Sequence, residues 1–218
     1  MRIEIFSLCA VGADDIRVTF LLTQGEKECR ESFVISAEAY TAIGIRKGES
    51  DMQTYERVEL ESKVYDAFKR GVASLGHGFC SANMLVGKLR TKGFSANAAS
   101  LAVDRIVERG YLDETENAKR EAEKCAAKLW GESRIRAKLY EKRYAKDAID
   151  SALFHLEDSG VDFDENCKKL IDMRYRLIPD DADGKRKLIG AICRQGYSVS
   201  QIKSACIALR NKKRDSIL

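Results

Sequence analysis

The stretch Lys88-Leu89-Arg90-Thr91-Lys92-Gly93-Phe94 returns 50 residues later as Lys138-Leu139-Tyr140-Glu141-Lys142-Arg143-Tyr144, and 53 residues after that as Ala191-Ile192-Cys193-Arg194-Gln195-Gly196-Tyr197. Each copy leads into the same apolar pattern. Ala99, Ala102, Val103 and Ile106 correspond to Ile149, Ala152, Leu153 and Leu156, and to Ile202, Ala205, Cys206 and Leu209. Offsets of 0, 3, 4 and 7 make one face of a helix. A helix that stops and reverses within two or three residues usually ends in a left-handed residue, where Gly93 and Gly196 avoid a Cβ clash. Arg143 occupies that place in the middle copy, so its turn either differs or is strained. Ser95 and Ser198 suit the cap of the following helix, which Ala145 cannot supply.

Each unit has an earlier helix, over about Ser62 to Leu75, Glu114 to Trp130 and Asp164 to Leu177. Three helices per ~50 residues, repeated three times, predict an elongated array whose units bury their faces against neighbours. The expected units are 55–112, 113–160 and 161–218, with Gly93, Gly110, Gly131 and Gly196 at structural turns. Residues 1–54 read differently. Ile3 and Ile5, then Ile16, Val18, Phe20 and Leu22, alternate with polar residues as half-buried strands do. Thr23 to Lys27 supplies a turn before a third strand, Cys29 to Ile35. Ser36 caps a short helix, Ala37 to Ile43, which Gly44 ends, and Gly48 to Asp51 reads as a loop. The expected fold is therefore mainly α, with three tandem three-helix repeats preceded by a small β-rich (α+β) domain.

Composition agrees. The 218 residues contain one proline, Pro179, which argues against an all-β fold. The net charge of +4 hides a division: residues 1–60 hold 7 Lys/Arg against 11 Asp/Glu, while the remainder holds 31 against 23. No apolar run reaches the ~20 residues of a membrane span and Met1 to Phe6 does not open like a signal peptide, so a cytoplasmic protein is expected. The seven cysteines are scattered, without a Cys-x-x-Cys, and only His77 and His155 could join them. Neither metal nor disulfide framework is expected, and five of the cysteines read as small buried thiols. Phosphate-binding loops, nucleophile elbows and His-Glu-x-x-His pairs are absent, so no catalytic residue, cofactor or enzyme activity is expected. Asp113-Glu114 and Asp180-Asp181 fall at helix starts, where the macrodipole favours acids.

The ordered motifs resemble those of the RecX family of regulatory proteins over about residues 60–210. Ser81-Ala82-Asn83-Met84-Leu85 with Lys88-Leu89 and Lys92-Gly93 is similar to its Ser-x-x-Glu-Leu, Lys-Leu, Lys-Gly run. Gly110-Tyr111-Leu112-Asp113-Glu114 with Ala118 is similar to its Gly-Tyr-Leu-Asp-Asp segment, and Gly131, Ile135 and Leu139 match a Gly-x-x-x-Ile-x-x-x-Leu spacing. Met84 departs from the glutamate that would close a capping box with Ser81, and Asn117 replaces an aromatic. The resemblance implies a non-enzymatic regulator that binds the RecA recombinase and its nucleoprotein filament; a monomer is expected. It implies inhibition of recombinase, ATPase and co-protease activity, and hence of homologous recombination, DNA repair and the SOS response. Weak contact with the phosphate backbone of single- or double-stranded DNA is possible alongside. Two other readings stay open: a direct DNA-binding helical module, and a helical-repeat adaptor for another protein.

The candidate partner-binding residues are Lys88, Arg90, Lys92, Arg105 and Arg109 in the first unit and Arg134, Arg136, Lys138, Lys142 and Arg143 in the second. Lys128 to Lys146 carries seven basic residues against Glu132 and Glu141, and Arg134, Lys138 and Lys142 step by four along one helix face. Such a stripe could follow phosphates, although cationic helix faces are usually only solvated. Arg210, Lys212, Lys213 and Arg214 read as a frayed tail. Trp130, Tyr140 and His155 read as packed side chains rather than stacking or catalytic groups.

Overall fold

The structure, a computed structural model, describes residues 1–76, 78–175 and 177–215, with side chains as far as Asn211. The side chains of Lys212, Lys213 and Arg214, and His77 with them, lie outside the described residues. The chain gathers into two compact units. One comprises Met1–His77 and Leu85–Leu112, the other Gly78–Met84 and Asp113–Leu218.

In the first unit the alternating segments form strands β1 (Arg2–Ala10), β2 (Asp15–Gln24) and β3 (Lys27–Ser36). Helix α1 (Ala37–Ile43) follows, with Ser36 Oγ accepting the Ala39 N–H at 3.1 Å and Gly44 closing it at φ 73°. The segment expected as a loop is instead a short strand, β4 (Gly48–Ser50), antiparallel to Ile3–Ile5 of β1. The sheet order is β3-β2-β1-β4, all antiparallel. Three residues are too few to show alternation, so β4 is recognisable only from its partner. Ile3, Ile5, Val18, Phe20 and Ile35 face one side and are buried with Ile45 and Val58. Phe20, Phe33 and Tyr55 meet edge to face with centroids 5.2–6.0 Å apart.

Val58 and Tyr55 belong to α2 (Met52–Leu75), which starts ten residues before the expected Ser62. Its first turns are largely exposed and show no apolar stripe; the Asp51 carboxylate, accepting the Thr54 N–H at 2.7 Å, sets the start. Helix α4 (Ala96–Glu108) and α3 (Ala82–Thr91) from Leu85 onward complete the unit, the first three residues of α3 belonging to the other. Gly71 lets α2 approach α4 closely, because a Cβ there would lie 2.5 Å from Ile106 Cδ1.

The second unit holds α5 (Glu114–Ala126), α6 (Glu132–Glu141) and α7 (Lys146–Asp158), packed around Ala122, Ile135, Leu139, Ile149 and Leu156. Helices α8 (Phe163–Arg174), α9 (Ala182–Cys193) and α10 (Val199–Asp215) surround Cys167, Ile171, Leu188, Ile192 and Ile202. Phe163 packs against both clusters. Helix α5 ends four residues before the expected Trp130, and Leu129 after it is left-handed at φ 56°.

Leu89, Leu139 and Ile192 are each fully buried. The turns that follow reverse through Gly93 (φ 95°), Arg143 (φ 60°) and Gly196 (φ 96°). In the first two, the N–H groups of Phe94 and Tyr144 donate back to the carbonyls of Leu89 and Leu139 at 3.3 and 3.2 Å, closing a Schellman motif. Arg143 thus keeps the turn at the cost of left-handed strain. Ser95 Oγ accepts the Ala98 N–H, while Ser198 and Gln201 form a reciprocal capping box. Ala145, which has no capping oxygen, donates its N–H to Glu114 Oε1 at 2.9 Å.

Candidate functional site

The basic residues of the first unit lie on α3, in the turn that follows it, on α4 and at the residue that caps α4. Lys88 and Arg90, in the last turn of α3, have no side-chain partner among the described residues, and Arg90 is exposed. Lys92 donates to Ser74 Oγ at 3.1 Å. Arg105 is held by Glu61 of α2 through both guanidinium nitrogens, the second at 2.8 Å. That bidentate pairing, with Glu61 only 14% exposed, strengthens the arginine's hold on its proton. Arg109 pairs with Glu38 of α1 and lies 5.1 Å from the Phe68 ring centroid. Arg105 and Arg109 therefore connect helices within the unit; Lys88 and Arg90 are left for solvent or a partner.

Along α6 of the second unit and its C-cap, Arg134, Lys138 and Lys142 follow one another at intervals of four, and each is already engaged. The Arg134 guanidinium stacks 3.7 Å from the Trp130 ring centroid and donates to Gln195 Oε1. Lys138 pairs with Glu141 at 2.9 Å, and Lys142 with the largely buried Glu121 at 2.8 Å. Arg136 bridges Asp150 at 2.7 Å and Glu132 at 3.3 Å. The local excess of positive charge read from Lys128 to Lys146 is thus reduced by Glu121 and Asp150, which lie outside that segment. Arg143 is exposed and its side chain has no partner among the described residues; the same holds for Lys146, at the start of α7.

Gly93 and Gly110 are left-handed turn residues at φ 95° and 71°. Gly131 is instead the extended residue that opens α6, and it faces Gly196. Two aromatic readings are corrected. Tyr140 is exposed on α6, because position 140 falls opposite the buried Ile135 and Leu139. His155 is half-buried on the flank of α7, where its Nε2 meets the Glu123 carboxylate at 2.8 Å. Trp130 is partly buried against the α5–α7 core.

Sequence reading missed a second cluster: Lys124 lies 4.2 Å and Arg120 5.8 Å from the centroid of Phe79. A basic pair at i, i+4 on α5 was the available signal. Cys80, Cys125 and Cys167 are buried and Cys193 and Cys206 half-buried, and burial pushes the Cys167 thiol up to about 12. Among the described residues no cluster of three or more His, Cys, Asp and Glu is arranged for a metal, and no helix is long and apolar enough to cross a membrane. What the surface offers is cations for acidic or phosphate groups.

No family model matches the chain. It is nevertheless 32% identical over 119 residues to the regulatory protein RecX of Xanthomonas axonopodis pv. citri, an alignment covering 54% of this chain and 72% of that protein. With RecX of Ectopseudomonas mendocina the identity is 30% over 119 residues, covering 54% and 77%. A crystal structure of regulatory protein RecX superposes with a TM-score of 0.69 at 19% identity, covering 93% of this chain and 99% of the other. RecX from Lactobacillus salivarius gives a TM-score of 0.58 at 14% identity, covering 68% and 97%. The two crystal structures share the fold, and the Xanthomonas and Ectopseudomonas proteins supply the sequence kinship. Together with the Ser81-to-Gly93 and Gly110-to-Glu114 motifs, these findings establish that this chain belongs to the RecX family of regulatory proteins.

Proposed function

We propose that the chain binds the RecA recombinase and its single-stranded-DNA filament in the cytoplasm and restrains recombinase, ATPase and co-protease activity. It would thereby damp homologous recombination, DNA repair and the SOS response without catalysing a reaction. Membership of the RecX family carries this reading. The helical segments 55–112, 113–160 and 161–218 are read as three tandem three-helix units that offer cations to a polymer of acidic protein and phosphate, with weak backbone contacts to DNA.

Within the ten candidate cations the unpaired ones have the strongest claim to the contact. Lys88, Arg90 and Arg143 can meet an anion without first abandoning a carboxylate, whereas Arg105, Arg136 and Lys142 must exchange one ion pair for another. The paired residues then act mainly by holding the helices that present the free ones.

An ATPase and strand-exchange assay with the cognate RecA tests the reading. Wild type is expected to inhibit at well below one molecule per RecA subunit, and the triple substitution Lys88→Glu, Arg90→Glu, Arg143→Glu to weaken inhibition markedly. Undiminished inhibition removes the proposed contact residues. Absence of any effect of wild type on RecA removes the function, as does tight, sequence-specific binding of duplex DNA by the protein alone.

A further inference from the structure

Strand β3 forms one edge of the sheet, and its two faces and backbone repeat the same message. Its register with β2 is unbroken from Asp15↔Ser36 to Gln24↔Lys27. The Val34 N–H turns away from β2 and donates to Ser62 Oγ at 3.2 Å. By the two-residue period of a strand, the backbone groups of Ser32, Arg30 and Glu28 point the same outward way, while Cys29 bonds toward β2. Residues 27–30 and Ser32 are exposed and Glu31 is half-buried. Across Lys27-Glu28-Cys29-Arg30-Glu31 the charges read plus, minus, neutral, plus, minus. That order is inverted by reflection about Cys29.

We propose that the outer edge of β3 is a homotypic docking edge, on which β3 of a second copy of this chain adds antiparallel about a two-fold axis at Cys29. The geometry is self-consistent. With Cys29 opposite Cys29, Glu28 lies opposite Arg30 twice, and these are the residues whose N–H and C=O groups face outward. Four backbone hydrogen bonds therefore form, and the central cysteines occupy a non-hydrogen-bonded pair, where side chains come closest. On one face each Glu28 meets an Arg30; on the other each Lys27 meets a Glu31. All four cross-strand pairs are of opposite charge, the arrangement that favours pairing.

Present partners permit the exchange. Glu31 accepts a hydrogen bond from the Tyr55 hydroxyl at 2.5 Å and retains its second oxygen for Lys27. Arg30 lies over the exposed Phe6 ring, 4.2 Å from its centroid, and must swing from it to reach Glu28. Lys27 and Glu28 have no side-chain partner among the described residues. Charged residues commonly guard an edge against association, but in the two-fold register this set attracts. A second copy is the occupant because the complement of this edge is the edge itself. The inference is independent of the recombinase reading.

Sedimentation equilibrium of the full chain, with reducing agent present, tests it through a charge swap. Glu28→Lys places two Lys–Arg pairs at the interface, and Arg30→Glu places two Glu–Glu pairs; each alone is expected to weaken dimerisation roughly tenfold or more. An equimolar mixture of the two variants restores opposite charges at every position and is expected to dimerise again as a heteropair. A short bismaleimide should link wild-type copies through Cys29 on both sides, and mass spectrometry identifies the linked peptides. A wild type that stays monomeric throughout the series, single reversals that leave association unchanged, a mixture that fails to recover, or linkage through Cys9 each overturns the proposal.

Discussion

Gly131 and Gly196 lie face to face in the second unit. The Gly131 N–H donates to the Gln195 carbonyl at 2.7 Å, and a methyl group on Gly131 would fall onto the carbonyl of Gly196. The start of α6 is thereby pressed against the α9–α10 turn, and Arg134 of α6 reaches Gln195 alongside. The backbone of Gly131 is ordinary at φ −77°, so contact rather than conformation demands the glycine. Gly131→Ala is expected to cost about 1–3 kcal/mol through overpacking. Gly93→Ala, with open space but φ 95°, is expected to cost about 1 kcal/mol through strain. Urea unfolding midpoints distinguish the two, and equal losses at both positions would contradict the assignment.

Tyr144 and Tyr197 occupy equivalent places after their turns and are both buried, yet only one hydroxyl has a partner. Tyr197 donates to the Leu129 carbonyl at 3.0 Å, whereas the Tyr144 hydroxyl has no partner among the described residues. Tyr144→Phe is therefore expected to be neutral or to stabilise by up to about 1 kcal/mol, and Tyr197→Phe to destabilise by about 1 kcal/mol or more. Thermal unfolding of the two variants side by side measures the difference.

The Lys142–Glu121 pair predicts a separation of stability from surface charge. Glu121 is 12% exposed, so Lys142→Ala leaves a poorly hydrated carboxylate and is expected to cost about 1–3 kcal/mol. Lys88→Ala and Arg90→Ala remove no internal partner and should stay within about 0.5 kcal/mol of wild type. Denaturant unfolding of the three variants checks this, and any assay of RecA inhibition by Lys142 variants needs the stability measured beside it.

Asp15 provides a pH handle on the first unit. The Tyr65 hydroxyl, 2.6 Å away, and then Lys69 hold its carboxyl below the ordinary value of 3.8, against the opposing effect of burial. A folded pKa below the unfolded one gives stability that is complete above that value and disappears as the pH falls through the folded one. Tyr65→Phe is expected to lower stability by about 1 kcal/mol near pH 7 and by less as Asp15 protonates below pH 3.8. Unfolding curves taken from neutral pH downward should converge; a constant gap would show that Asp15 is not the partner that matters.

Secondary structure was legible wherever a period extended over several residues. Ile16 to Leu22 announced a strand, and Ala99 to Ile106 a helix face, because burial repeats every two residues in one case and at three or four in the other. β4 and the first turns of α2 were not legible, since three residues show no period and Gln53 to Arg57 carry little apolar signal. The cations themselves were legible as a stripe on α6, but their state was not. Glu121 lies 21 residues from Lys142 and Gln195 61 from Arg134, so only the folded chain shows that these charges have been answered. The left-handed Leu129 gave no sign at all.

The Glu114 carboxylate accepts the Ala145 N–H with one oxygen and the Ala82 N–H with the other, the latter at 3.3 Å. One side chain thus finishes the starts of α7 and α3 together, and Ser81 Oγ is joined to the Lys142 carbonyl nearby. A chain severed between Leu112 and Asp113 would keep Glu114 with α7 and strip only the start of α3 of its acceptor. Loss of that one carboxylate would therefore loosen two helix starts that lie more than sixty residues apart in the chain.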